Sequence, residues 1–398
     1  MKPTTGKMTI HDRVVATLKG EKPDRLPFID RIEIWHRTHT SAGTLPGEFR
    51  GMSLADVHRA VGIGQEKFIN AFSLRLRGVE VISRFQGEIF YHEKDPVLDY
   101  FPNVWDLVPN NRAGFTDTEF VTPVGRVSVQ HQTLPHMIAA GMEPYLKGHL
   151  IKEEKDYQTV IHVLERGEYL PRYGSFHDEE TRLGDVGFLV PCLPRSPFQQ
   201  TLLEYLGEVP LFNALYNSPT PLKKLLRFLD EQLGDLLHRL AEWSVQYIEF
   251  LDNIHAEMTN PRLFAEYCLP YYQGYAEILY GQGKKVGSHT DGELKPLLDL
   301  LAESGLDVCE SFSPAPLTEC TFEEAWDAWQ DGPMIWGGIP SSILEERTSE
   351  EEFQEYLEHM LRIIGDRPII LGIGDLVMGN NLIERVRYIA NRVENHAL

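Results

Sequence analysis

The chain has 398 residues and carries 59 acidic against 38 basic side chains, a formal net charge of -21 at pH 7. That field repels nucleic acid and anionic membrane surfaces, so neither is expected as a partner, and it disfavours a substrate bearing many carboxylates. Hydrophobic residues are 42% of the chain, enough for a large core, yet no apolar run approaches the roughly 20 residues that span a bilayer. The opening Met1-Lys2-Pro3-Thr4-Thr5-Gly6-Lys7 lacks the apolar segment of a secretory signal. Cys192, Cys268, Cys309 and Cys320 show neither CxxC spacing nor the density of a disulfide scaffold. Together these features predict a cytoplasmic protein forming a single domain over 1–398.

In chain order, the first strand is expected over 26–30, followed by Arg31, His36 and Arg37, which offer a place for an anionic group or ordinary surface pairing. Gly-Val-Glu-Val-Ile-Ser-Arg-Phe at 78–85 predicts a second strand. From about 87 to 151 the pattern becomes irregular. Thr122-Pro123-Val124-Gly125 reads as a turn feeding an antiparallel strand, so this stretch is expected to form an insertion over one mouth. From about Gly184 onward, β-branched runs alternate with amphipathic segments, the pattern of repeated βα units. Strands are expected over 186–190, 247–252, 285–289, 307–310, 334–338 and 368–374. Helices are expected over 221–243, over 261–281 with Asn260 or Thr259 as N-cap and Pro261 in the first turn, over 293–301, and over 349–364 behind Ser349. Eight strands with helices between them predict an α/β fold, a single (β/α)8 TIM barrel with an inserted antiparallel, irregular region in its first half.

Barrel chemistry gathers at the C-terminal ends of the strands. The run Lys285-Val286-Gly287-Ser288-His289-Thr290-Asp291-Gly292 ends in a histidine and an aspartate two residues apart, a spacing that puts both on one face of a strand. Asp291 is also a natural helix N-cap, and the two readings weigh about evenly. Neighbouring strand ends carry Asp252, Glu310 and Asp375, while Trp336 offers a flat indole. A histidine among carboxylates at one rim is a candidate site for a borderline divalent ion such as zinc. The signatures GxGxxG, GxSxG, CxxC and the Walker loop are absent, which leaves little room for nucleotide, acyl-transfer or thiol-redox chemistry.

Nearly end to end, the chain resembles the uroporphyrinogen decarboxylase superfamily, and specifically its corrinoid-dependent methyltransferase branch. The resemblance is carried by Glu21-Lys22-Pro23-Asp24-Arg25-Leu26-Pro27-Phe28, by Thr122-Pro123-Val124-Gly125, by 149–157, by Asn260-Pro261-Arg262-Leu263-Phe264 with Leu269-Pro270-Tyr271-Tyr272, and by His289-Thr290-Asp291-Gly292. The last falls where these enzymes show His-x-Cys-Gly or His-x-Asp-Gly. The decarboxylases' early Gly-Arg-Tyr run and their Phe-Ser-Asp aspartate have no clear counterpart in Arg31-Ile32-Glu33-Ile34-Trp35-His36-Arg37 or Phe68-Ile69-Asn70.

The resemblance implies zinc as cofactor and, for thiol-methylating members, cysteine ligands. This chain has Asp291 in place of the first cysteine and Ile373 in place of the second. Oxygen donors leave a metal a harder Lewis acid, suited to polarising an oxygen. The expected reaction therefore moves a methyl group from a small aryl or alkyl methyl ether to the cobalt of a corrinoid. The Asp-x-His-x-x-Gly corrinoid ligand motif is missing, so the corrinoid is expected on a partner protein, with the methyl donor as the other partner and a homodimer left open. His289, Asp291, Glu310 and Asp375 are the expected metal ligands, His289, Asp291 and Asp252 the catalytic residues, and Trp336, Arg31 and His36 the substrate contacts. The alternatives are a decarboxylase (lyase) and a non-catalytic barrel that binds a ligand or the corrinoid protein.

Overall fold

Strands buried on both faces read as near-continuous apolar runs, and those from Gly187 onward pair side by side as such runs do. The computed structural model describes residues 7–109, 111–374 and 376–396. In chain order it places β1 (Ile29–Asp30) and β2 (Gly64–Asn70), then β3 (Phe72–Leu76), β4 (Glu80–Phe85), β5 (Glu88–Lys94), β6 (Val97–Leu98), β7 (Gly114–Thr122), β8 (Gly125–Thr133), β9 (Tyr145–Gly148) and β10 (Gly167–Pro171). There follow β11 (Gly187–Leu193), β12 (Tyr247–Ile254), β13 (Lys285–Thr290), β14 (Val308–Phe312), β15 (Met334–Ile339) and β16 (Ile370–Ile373). An eight-stranded parallel sheet runs β1-β2-β11-β12-β13-β14-β15-β16. A parallel bridge between Phe28 and Leu371 brings its two edges together, and Leu371 N donates to Pro27 O at 2.9 Å. With helices around it, this is a TIM barrel.

One of the eight expected barrel strands is elsewhere. The 78–85 run becomes β4, which pairs antiparallel with β5 and β7 inside a five-stranded sheet, β5-β4-β7-β8-β9. Its alternating burial is that of an antiparallel strand with one covered face. The true second barrel strand, β2, escapes sequence reading because Gln65, Glu66 and Lys67 interrupt it. The place of those polar side chains shows only in three dimensions: Lys67 pairs with Glu179, while Glu66 is buried inside the barrel. The inserted region also starts earlier than 87. It leaves the barrel at Phe72 and includes a second small sheet, β10-β3-β6, before the chain returns at Gly187. The expected turn at 122–125 does join β7 to β8.

The helices follow their signals closely. Pro219–Arg239 buries Leu222, Leu225, Leu226, Leu229, Leu233, Leu236 and Leu237 as one stripe. Asn260 caps Pro261–Tyr267, but the expected single helix breaks at Cys268, and a second runs Leu269–Gly281 with Pro270 in its first turn, where a missing N–H costs nothing. Ser349 and Glu352 form a reciprocal capping box before Glu350–Ile364. The segment expected as a helix over 293–301 is instead a 3-10 turn, Lys295–Leu297, followed by the short helix Leu298–Ala302. Among the described residues no helix is long and apolar enough to cross a membrane.

The lumen has two halves. Phe188, Tyr247, Val308 and Ile370, at or near the starts of their strands, pack with Trp336 against Val14 and Leu18 of the helix Ile10–Leu18, which plugs the N-terminal end. Polar side chains occupy the other half. The return of the chain at Gly187 is a tight point: a Cβ there would lie 1.8 Å from the carbonyl oxygen of Gln65. Gly174, within the helix Tyr173–Leu183, has nothing within 4 Å of the corresponding position. Gly187→Ala should therefore destabilise the protein by about 1–3 kcal/mol or more through forced displacement of β2 from β11. Gly174→Ala should stabilise it by about 0.4–1 kcal/mol. Urea unfolding midpoints of the two variants check the pair.

Candidate functional site

Register determines which side chains meet. His289 on β13 lies directly across from Glu310 on β14, and Glu249 on β12 lies across from Gly287. His289 and Gly287 are two apart, so they face the same way, into the lumen. The result is a cluster of Glu249, His289 and Glu310 whose ligand atoms all lie within 4.8 Å of one another. All three are buried; even His289, the most accessible, is 7% exposed. His289 Nδ1 contacts Glu310 Oε2, and Thr290 Oγ1 donates to the Glu310 carbonyl at 2.7 Å, fixing β14 against β13.

Two more acids and a cation border this cluster. Glu66 of β2 is buried with its Oε2 3.9 Å from Arg31 Nε. The Arg31 guanidinium also lies over the Phe68 ring, 4.8 Å from its centroid. Asp30 of β1 accepts the Arg31 N–H at 2.6 Å and the Ile373 N–H, which ties β1 to β16. Burial pushes the carboxyl of Glu66 well above the usual range, the Glu310 charge adds to this, and Arg31 only partly opposes it. Burial likewise pushes Glu249 well up, reinforced by Glu310, although the Tyr247 hydroxyl pulls the other way. Asp30 is raised by burial against the two amides it accepts. Burial thus favours the protonated forms of Asp30, Glu66 and Glu249, and a cation among them would favour the charged forms.

The donors present fit a divalent ion. One imidazole and two carboxylates match the ligand types of zinc. Among the described residues, Glu249 Oε1 and Glu66 Oε1 are buried with no hydrogen-bond partner, as donor atoms for an ion would be. Cys192 also lies in the lumen, but burial and the Glu249 charge push its thiol well up, so it is a poor thiolate ligand.

The expected site residues separate into groups. His289 and Glu310 meet, and Arg31 stands beside them. Asp291 lies past the end of β13, where alternation no longer governs it. Its N–H donates to Ile254 O at 3.1 Å, and Gly292, at φ +100°, turns the chain against His255. The third member of the cluster is Glu249, which the sequence reading missed. Asp252 points outward, accepting the Ser196 N–H at 2.7 Å and the Tyr272 hydroxyl, and so ties β12 to the helix Leu269–Gly281. Trp336 is not at the mouth: it lies in the lumen floor, 5.9 Å from the Tyr247 ring and 6.0 Å from that of Phe188. His36 sits on the helix Glu33–Ala42, beside Arg37 and the buried His58. Asp375 falls outside the described residues.

A second buried polar group joins the insertion to the barrel mouth. Arg195, just beyond β11, donates from Nε to Glu204 Oε1 at 3.0 Å and from Nη1 to Asn253 Oδ1 at 2.9 Å, and Tyr100 of the insertion donates to Glu204 at 2.9 Å. Asn253 (φ 51°) and Ser311 (φ 65°) both adopt left-handed backbone at bulges in β12 and β14, beside the cluster.

An imidazole and two carboxylates thus meet inside a closed parallel barrel and offer donor atoms for a metal ion. Residues 207–396 match the family described as uroporphyrinogen decarboxylase (URO-D). Among solved structures it is similar to a methyltransferase from Methanosarcina mazei at 13% identity with a TM-score of 0.55, covering 97% of this chain and 98% of that one. An octameric ribulose-1,5-bisphosphate carboxylase/oxygenase from Pyrococcus horikoshii OT3 matches at 10% identity and a TM-score of 0.27, over 60% of this chain and 47% of that one. The pneumococcal StrH matches at 8% identity and a TM-score of 0.36, over 96% and 86%. The likeness to the methyltransferase concerns the fold. No match was found among curated protein sequences.

Glu204 supplies a test of the second polar group. Burial pushes its carboxyl from 4.5 up to about 7 despite Arg195 and Tyr100. A raised folded value means the native state holds the extra proton, so this stabilisation is full below pH 4.5 and is lost as pH rises through about 7. Glu204→Gln should flatten the fall in unfolding free energy across that window by up to ~3 kcal/mol, read from urea midpoints at successive pH values.

Proposed function

We propose that the chain is a methyltransferase that moves a methyl group from a small oxygen-linked donor to the cobalt of a corrinoid carried by a separate protein. The observation that carries this reading is the oxygen-rich cluster of Glu249, His289 and Glu310 inside the barrel. The URO-D domain and the near complete overlap with the methyltransferase fold support it. Zinc is the proposed ion, held by those three residues. When bound, it supplies a Lewis acid that draws negative charge from the departing oxygen.

The chain's own residues do the rest. An alkoxide or phenoxide is a poor leaving group at neutral pH, so its oxygen needs a proton. Burial and the Glu310 charge raise the carboxyl of Glu66 well above its usual range, which favours its protonated form, and its Oε1 has no hydrogen-bond partner among the described residues. It is the proposed acid. Arg31 returns positive charge to the mouth as that proton leaves. Water is kept out by burial of the whole cluster, which strengthens each electrostatic contact. The corrinoid protein is proposed to dock over the C-terminal mouth, where the barrel's polar half opens.

Decarboxylation of a porphyrinogen with many carboxylates fits the cluster less well. Asp30, Glu66, Glu249 and Glu310 surround a single nearby arginine, Arg31, and would repel such a substrate.

His289→Ala and Glu249→Gln should each lower methyl transfer from a methyl ether to Co(I) corrinoid by at least about 10²–10³-fold, with the circular dichroism spectrum unchanged. Corrinoid absorbance follows the reaction. Asp252→Asn should act mainly on thermal stability. Full turnover in Glu249→Gln would contradict the proposed site.

A further inference from the structure

A carboxylate is useful to an ion only if something holds it still, and ligating carboxylates are held by hydrogen bonds from their neighbours. Glu249 has such a neighbour. Tyr247 Oη donates to Glu249 Oε2 at 2.7 Å, two residues back on the same strand face. The phenol is buried, and its ring rests against Trp336 at 5.9 Å with an interplanar angle of 32°; Trp336 in turn packs on Phe188 at 6.0 Å. The hydroxyl reaches its target only because β13 carries a glycine directly across from Glu249. A Cβ on Gly287 would lie 2.0 Å from Tyr247 Oη and 2.8 Å from its Cζ. Tyr247 thus occupies Oε2 and leaves Oε1, which has no partner among the described residues.

We propose that Tyr247 is a positioning residue for the ion site, and that the missing side chain of Gly287 is the space it requires. The aromatic floor and the metal cluster are then one device. Trp336 and Phe188 lock the Tyr247 ring, the hydroxyl locks Glu249, and Glu249 turns one oxygen toward His289 and Glu310. This inference rests on the metal reading given above. It also explains why the strand that carries His289 has a glycine two residues earlier, at a position where a larger residue would otherwise help fill the lumen.

The test is a titration of chelator-treated protein with Co(II), followed by absorbance, and with Zn(II), followed by competition with a chelating dye. Wild type, Tyr247→Phe and Gly287→Ala are compared, each with a thermal melt in excess chelator. Wild type is expected to bind one ion per chain. Tyr247→Phe should bind about 10–100-fold more weakly with an altered Co(II) spectrum, although its chelated melt stays close to that of wild type. Gly287→Ala keeps the hydroxyl but pushes it off Glu249, and should weaken binding similarly. A role confined to packing predicts unchanged affinity in Tyr247→Phe. Affinities within about twofold of wild type in both variants would overturn the positioning role while leaving the metal site standing. No ion bound by wild type would overturn the metal reading and this inference with it.

Discussion

Four carboxyl groups, those of Asp30, Glu66, Glu249 and Glu310, converge on His289 and a single guanidinium, Arg31, inside a barrel whose other end is filled with aromatic rings. Bare charges of one sign are not stable together in so dry a place. Protonation relieves part of the repulsion, and burial raises Glu66, Glu249 and Asp30 in that direction. A divalent cation relieves more. The cluster's preference for protons or a cation is the property on which the proposed chemistry depends, and the strand register of β12, β13 and β14 creates it.

The surrounding architecture keeps that cluster dry and still. Val14 and Leu18 close the N-terminal end, Trp336 and Phe188 set the floor, and the insertion reaches the mouth through Tyr100. Glu204 accepts from both Tyr100 and Arg195, so the insertion, the exit of β11 and the bulge at Asn253 share one set of buried hydrogen bonds. Left-handed backbone at Asn253 and Ser311 re-aims the ends of β12 and β14 next to the site. Ordinary strands need no such bends; they are common where side chains have to converge.

Much of the barrel was legible because its later strands are buried on both faces and its helices carry strong caps. Seven of the eight strands, the stripe of leucines in Pro219–Arg239 and the caps at Asn260 and Ser349 follow from local pattern alone. The second barrel strand did not, because Glu66 and Lys67 make it look polar, while the half-covered β4 looks like a better strand. The same limit hid Glu249, whereas His289 and Glu310 were legible. Glu249 sits inside the apolar run Tyr247-Ile248-Glu249-Phe250-Leu251, and an acid in phase with two inward residues was the available signal. Attention to strand ends favoured Asp291 and Asp252. The first lies beyond the strand, and the second is one residue out of phase with the lumen and caps the neighbouring layer instead.

The central claim, a divalent ion held by Glu249, His289 and Glu310, is tested most directly by anomalous diffraction at the zinc edge from crystals grown with zinc. The account predicts one strong peak per chain within about 2.0–2.2 Å of donor atoms from all three residues. A lumen without a peak, or a peak centred on Asp291 and away from Glu249, would contradict it.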